Sequence, residues 1–201
     1  MLQRCTGLVA LLAVVSVTAG CGTDDDAPDP QTHTAASDET YNDADVEFAS
    51  DMIQHHAQSL AMVDLTMDRR LDPAIERLAE DVRMAEGSEI EQLTDWLHDW
   101  DRPIPETVRD HANAHGDGGP ETGSDLPGMM SAEQLAALEA TKGAEFEDAW
   151  LELMIEHHEG AIELARTEQS DGEHTGAVQL AESIESAQQE EVSAMRGLVG
   201  A

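Results

Sequence analysis

Thiols, aromatic rings and positive charge are all scarce in this chain, and each shortage excludes something. The 201 residues contain two cysteines, Cys5 and Cys21. That rules out a disulfide scaffold or a cysteine zinc site. Aromatic residues make up 3% of the sequence, too few for a sandwich or barrel core, where aromatic and β-branched side chains are favoured. Lys142 is the one lysine, and 10 basic residues face 43 acidic ones for a formal charge of −33. So negative a chain repels nucleic acid and anionic lipid, which sets aside a DNA, RNA or polybasic membrane-surface role. Common enzyme signatures are missing too. There is no Gly-x-Ser-x-Gly, phosphate loop or dinucleotide fingerprint. The Glu-x-x-His pairs of di-iron bundles are absent, and within the second and fourth helical segments Asp95-x-x-His98 stands alone. Ser59 lies one turn from His55 without a visible oxyanion hole, so a hydrolase is discounted and no catalytic residue is assigned.

What is present favours helix: Ala, Leu, Met, Glu and Gln are abundant. Residues 1–20 carry Arg4, the apolar run Leu8 to Val17 and then small residues, the pattern of an export signal. The run is short of the roughly 20 apolar residues that span a bilayer. Val17-Thr18-Ala19-Gly20-Cys21 resembles a bacterial lipobox, with Cys21 as the lipidated first residue of the mature chain and lipid as its one membrane contact. Cleavage there removes Arg4 and no acid, giving a formal charge of −34. Residues 21–42, rich in Asp, Pro, Thr and Ala, read as a disordered, self-repelling tether.

The remainder repeats itself at an offset of 102. Met52-Ile-Gln-His-His56 matches Met154-Ile-Glu-His-His158. Without a gap, Phe48 meets Trp150, Leu78-Ala-Glu80 meets Leu180-Ala-Glu182, and Glu89 meets Glu191. Nine of 46 positions from 48 to 93 are identical. Each half, 43–100 and 131–199, reads as two antiparallel helices. The first spans about 43–68. Asp72-Pro73 supplies a cap and an N1 proline for the second, about 73–99. Prolines and glycines make 101–130 a linker. Ser131-Ala-Glu-Gln134 resembles a capping box that opens a third helix to about 169, broken near Gly143. The fourth covers about 175–198. The expected fold is all-α: a four-helix bundle over 43–199, built of two repeated hairpins joined by a long crossover.

Helical projection at about 100° per residue turns His55 and His56 to either side of the apolar arc of Phe48 and Met52. His157 and His158 take the same places beside Trp150 and Met154. Glu89 and Glu191 fall on the core stripes of their own helices, where a carboxylate is costly unless paired or bound to a cation. At about 1.5 Å of rise per residue they lie within about 4 Å of the histidines in height. The candidate metal residues are therefore His55, His56, His157, His158, Met52, Met154, Glu89 and Glu191. Met129, Met130, His111 and His115 form a second, looser candidate set. Thioether and imidazole suit copper, as Cu(I) or Cu(II), while imidazole with carboxylate also suits zinc or iron. Plain alternatives stand beside this: a Glu–His structural network, and methionine as adaptable core filler.

A family resemblance also enters. Asp51-Met-Ile-Gln-His-His-Ala-Gln-Ser-Leu-Ala-Met62, Gly128-Met-Met-Ser131 and Phe146-Glu-Asp-Ala-Trp-Leu-Glu-Leu-Met-Ile-Glu-His-His-Glu-Gly-Ala-Ile162 resemble the family called domain of unknown function 305, over about residues 43–198. The resemblance implies a ferritin-like bundle, export from bacteria and, from some members, copper binding and copper resistance. It points to the four histidines with Met52 and Met154, and to Met129 and Met130 through the Gly-Met-Met-Ser block. Leu93 and Leu164 stand where methionine often appears, and Ala57-Gln58-Ser59 is less regular than Glu159-Gly160-Ala161, implying weaker binding by the first half. Three functions fit: an extracytoplasmic lipoprotein that buffers or sequesters copper, a metal oxidase using the same cluster, or a non-catalytic interaction bundle.

Overall fold

A computed structural model describes residues 31–111 and 125–200. The expected export signal, Cys21 and His115 lie outside the described residues, as does the side chain of His111. The elements are β1 (His33–Thr34), β2 (Thr40–Tyr41), α1 (Asp43–Asp64), α2 (Pro73–Asp99), α3 (Val108–His111), α4 (Ala132–Ala140), α5 (Ala144–Asp171) and α6 (Thr175–Leu198). The fold is all-α, with α1–α2 and α5–α6 as the two hairpins and α1 packed on α5 between them. No helix among the described residues is long and apolar enough to cross a membrane.

Local chemistry sets the boundaries. Asp72 accepts from the Ala74 amide and Pro73 begins α2, leaving one fewer helical donor to satisfy. Ser131 and Gln134 form a reciprocal capping box on α4. Gly143, at φ +59°, separates α4 from α5, a conformation that disfavours side chains. The first helix stops at Asp64 instead of 68. The Thr66 hydroxyl donates to the Val63 carbonyl at 2.7 Å, and Asp68 takes φ +60°.

Residues 31–42 differ from the expected tether. His33 pairs with Tyr41 and Thr34 with Thr40 in a two-stranded hairpin. Tyr41 stacks on Trp100 at 4.7 Å between ring centroids, and its hydroxyl donates to the Trp100 carbonyl at 3.1 Å. Asn42 caps α1 and also donates to the Asp171 carbonyl at 2.8 Å. An aromatic anchor and a cap thus offset the charge repulsion that composition emphasised.

Two apolar clusters fill the interior. One gathers Met62, Val63, Val82, Trp150, Met154 and Val192. The other gathers Phe48, Met52, Ile53, Leu93, Ala161 and Ile184. Along every long helix a buried polar stretch lies between them: His55 to Ser59, Glu86, His157 with His158, and Gln188. That polar layer holds the candidate site.

Candidate metal centre

The repeat becomes a local two-fold arrangement in space. His55 meets its own counterpart, His157, with ring centroids 3.8 Å apart and a tilt of 48°. Glu86 meets its counterpart, Gln188, whose side-chain nitrogen donates to Glu86 Oε1 at 3.4 Å. The contact between the second histidine of each doublet and a glutamate occurs twice. His56 Nε2 lies 2.7 Å from Glu89 Oε2, and His158 Nε2 lies 3.0 Å from Glu191 Oε2. The second of these is aligned as a hydrogen bond; the first has ion-pair distance without that alignment.

All four imidazoles are fully buried. His55 Nε2 donates to the Pro127 carbonyl at 3.0 Å. An acceptor there fixes the tautomer and leaves Nδ1 as the bare lone pair. That atom has no hydrogen-bond partner, and neither has His157 Nδ1, His157 Nε2, His158 Nδ1 or His56 Nδ1, the last lying 3.8 Å from Glu86 Oε1. Buried polar atoms rarely stay unpaired. A neutral ring carries one proton and one lone pair, and the unpartnered lone pairs in this layer are what an imidazole-binding metal would satisfy, so the donor set fits a metal ion.

Electrostatics divides the layer in two. Burial pushes His55 down to about 3, with the neighbouring His56 reinforcing the shift. Burial lowers His157 well below the ordinary range, with His55 the next cause. These two rings stay neutral and keep their lone pairs. His56 is raised: burial opposes its charge, but Glu86, then the bond and charge of Glu89, and then Glu191 outweigh it. Glu86, itself buried, is raised by desolvation despite the attraction of His56 and His158.

The other predicted residues are placed as follows. Met52 and Met154 are fully buried but belong to different apolar clusters. The Ser59 hydroxyl donates to Met154 Sδ at 3.6 Å. Met130 is buried, its backbone clamped at both ends by Gln58, while Met129 is half-buried. Among the described residues, no three His, Cys, Asp or Glu groups already converge on one point as an ion's coordination shell. The His55 and His157 rings pack against each other at a tilt. An ion shared between them, at about 2 Å from each nitrogen, requires them to turn apart.

Glu86 and Gln188 escaped the sequence reading. Projection at about 100° per residue places Glu86 about 20° from Ile75, beside the core stripe. The signal was there, and the same offset of 102 marks Gln188. Pro127 left no signal, because its contribution is a backbone carbonyl from a loop.

The profile of the family described as Domain of unknown function (DUF305) matches residues 45–199. A DUF305 protein from Streptomyces coelicolor is 27% identical, at a TM-score of 0.66 over 77% of this chain and 91% of that one. A DUF305 fragment from Deinococcus radiodurans is 24% identical, at 0.66 over 84% and 99%. CopM in its Cu(II)-bound form is 22% identical, at 0.61 over 77% and 95%, and CopM in its Cu(I)-bound form is 21% identical, at 0.60 over 77% and 94%. The likeness to the fragment and to CopM is one of fold. No curated protein matches the chain.

Proposed function

The chain belongs to the DUF305 family, and on that premise we propose that it is an extracytoplasmic protein that binds copper in the polar layer of its bundle, buffering or sequestering it. The observation that carries the reading is the buried His55–His157 pair, held neutral with three of its four ring nitrogens unpartnered. Neutral imidazole is the form that binds a metal. His56 and His158 stand beside the pair. Glu89 and Glu191 touch their Nε2 atoms, as carboxylates orient the histidine ligands of many metal sites. That leaves Nδ1 as the atom each offers, with the ion displacing the proton that Glu86 and Glu89 favour on His56. Glu89 and Glu191 act on this reading through the rings.

Copper is favoured over zinc by the soft thioethers of Met52 and Met154, one on the same helix as each histidine doublet, and by the absence of cysteine from the described residues. CopM, which shares the fold, was solved with Cu(I), Cu(II) and Ag bound. The export signal and Cys21 fit a lipid-anchored protein outside the cytoplasm, in keeping with the Streptomyces relative named as secreted.

The test is calorimetric titration of the chain with Cu(I) and with Cu(II). Saturable binding is expected, and its loss when His55, His56, His157 and His158 are all replaced by Ala. His157→Asn, a gentler change, should weaken binding with the helical circular-dichroism signal intact. Unchanged affinity in a folded variant would defeat the assignment.

A further inference from the structure

Two pairs of counterparts meet on the local two-fold axis, His55 with His157 and Glu86 with Gln188. The first pair lies under the segment before α4, whose Pro127 carbonyl takes the His55 bond. The second joins α2 to α6 and is a poor match for itself. Glu86 is 3% exposed and Gln188 4%. Their one bond, at 3.4 Å, leaves Glu86 Oε2 and Gln188 Oε1 without hydrogen-bond partners. The Ser59 hydroxyl beside Glu86 has a single proton and gives it to Met154 Sδ. Among the described residues, the one basic side chain within ion-pair range of Glu86 is His56. Its Nδ1 lies 3.8 Å from Glu86 Oε1, too far for a hydrogen bond. His158 also attracts the Glu86 carboxylate, and its Nδ1 is unpartnered.

Two ring nitrogens and two oxygens in this part of the layer are thus buried without hydrogen bonds, which is costly unless something binds them. The gap between His56 Nδ1 and Glu86 Oε1 is one that two metal bonds of about 2 Å each can span. We propose that Glu86 and Gln188 are oxygen ligands of a second metal position, on the His56–His158 side of the layer, for a divalent ion such as Cu(II) or Zn(II) in preference to Cu(I). The inference rests on the copper reading of the layer and divides that layer by hardness. His55 and His157 offer nitrogen alone, while the Glu86 side adds a carboxylate and an amide oxygen, harder donors that do little for Cu(I). The break in the repeat serves the same chemistry. Glutamate at both places would set two buried carboxylates against each other. Glutamine at both would leave the charge of a divalent ion unbalanced among neutral donors. One of each gives a single compensating charge on the axis.

The metal-stripped chain is titrated with Cu(II), with Zn(II) as a redox-silent probe, and with Cu(I) under reductant. Electron paramagnetic resonance follows the Cu(II) form, and circular dichroism checks the fold. Glu86→Gln keeps the shape and the bond to Gln188. It should weaken Cu(II) and Zn(II) by at least the roughly tenfold that losing even an outer partner of a metal ligand costs. Cu(I) affinity should stay within about threefold, and the Cu(II) spectrum should move from mixed nitrogen and oxygen toward nitrogen alone. A His55→Asn/His157→Asn variant should lose Cu(I) yet keep a Zn(II) site that Glu86→Gln abolishes. Parent-like Cu(II) and Zn(II) binding in folded Glu86→Gln would overturn this position and leave the copper reading standing, with Glu86 only a counter-charge to His56. Equal loss of Cu(I) and Cu(II) in that variant would overturn it too, because the carboxylate would then organise the whole layer. No metal uptake by the parent chain would overturn both.

Discussion

Replacing Gly160 by Ala should destabilise the bundle, although glycine within a helix normally costs about 1 kcal/mol relative to alanine. Gly160 lies inside α5, and the segment before α4 lies directly on it. A Cβ there would overlap the Pro127 carbonyl and come 2.7 Å from Gly128 Cα. The helix cannot yield without disturbing His157 and His158 one turn away, so the loop has to move. Its attachments are the His55 bond to Pro127 at 3.0 Å and the two Gln58 bonds to the Met130 backbone at 2.9 and 2.6 Å. At about 1 kcal/mol each they outweigh the propensity gain. The expected net loss is about 2 kcal/mol, and more if buried Met130 leaves its pocket. Gly87→Ala is the matched control, because a Cβ there meets nothing within 4 Å; it should gain up to about 1 kcal/mol. Urea unfolding followed by circular dichroism measures both through their midpoints. A Gly160→Ala chain as stable as the parent, alongside a normal Gly87→Ala, would refute the tight docking of this loop.

Further outcomes follow from the charges and caps. The folded chain holds on Glu168, up to about pH 9, a proton that the unfolded chain releases near its ordinary 4.5, so this residue makes stability fall as pH rises across that window. Glu168→Gln should flatten that decline in urea midpoints measured at pH 5, 7 and 9; parallel curves would contradict it. An ordinary imidazole loses metal to protons below about pH 6.5, but His55 is held down to about 3. Copper affinity of the His55–His157 pair should therefore stay within about threefold between pH 7 and 5. A tenfold drop at pH 5 in a chain also carrying His56→Asn and His158→Asn would show ordinary titration instead. Asp72→Ala removes the α2 cap and should cost about 1 kcal/mol without changing copper stoichiometry, as melting and titration together would show.

The long helices were legible because their signals are local. Asp72-Pro73, Ser131 with Gln134, and Gly143 each act within four residues, and each marks the boundary found. The pairing of His56 with Glu89 and of His158 with Glu191 was also legible, since helix rise and turn position fix height in an antiparallel hairpin. Less so was anything that depends on a distant partner. The fold of residues 31–42 relies on Tyr41 meeting Trp100, 59 residues away. The docking of Gly128 on Gly160 relies on an absence of side chain, which carries no periodic signature. Glu86 and Glu168 both project onto core faces and were available to the same arithmetic that found Glu89. They passed unnoticed because acids are so frequent here that one more on a helix does not stand out.

A crystal of the copper-loaded chain, with diffraction recorded on both sides of the copper absorption edge, addresses the assignment most directly. The account predicts an anomalous peak in the polar layer within bonding distance of His55 Nδ1 and of a His157 ring nitrogen, with those two rings turned apart. A copper peak at the acidic surface alone, with the imidazoles still packed at 3.8 Å between centroids, would contradict it.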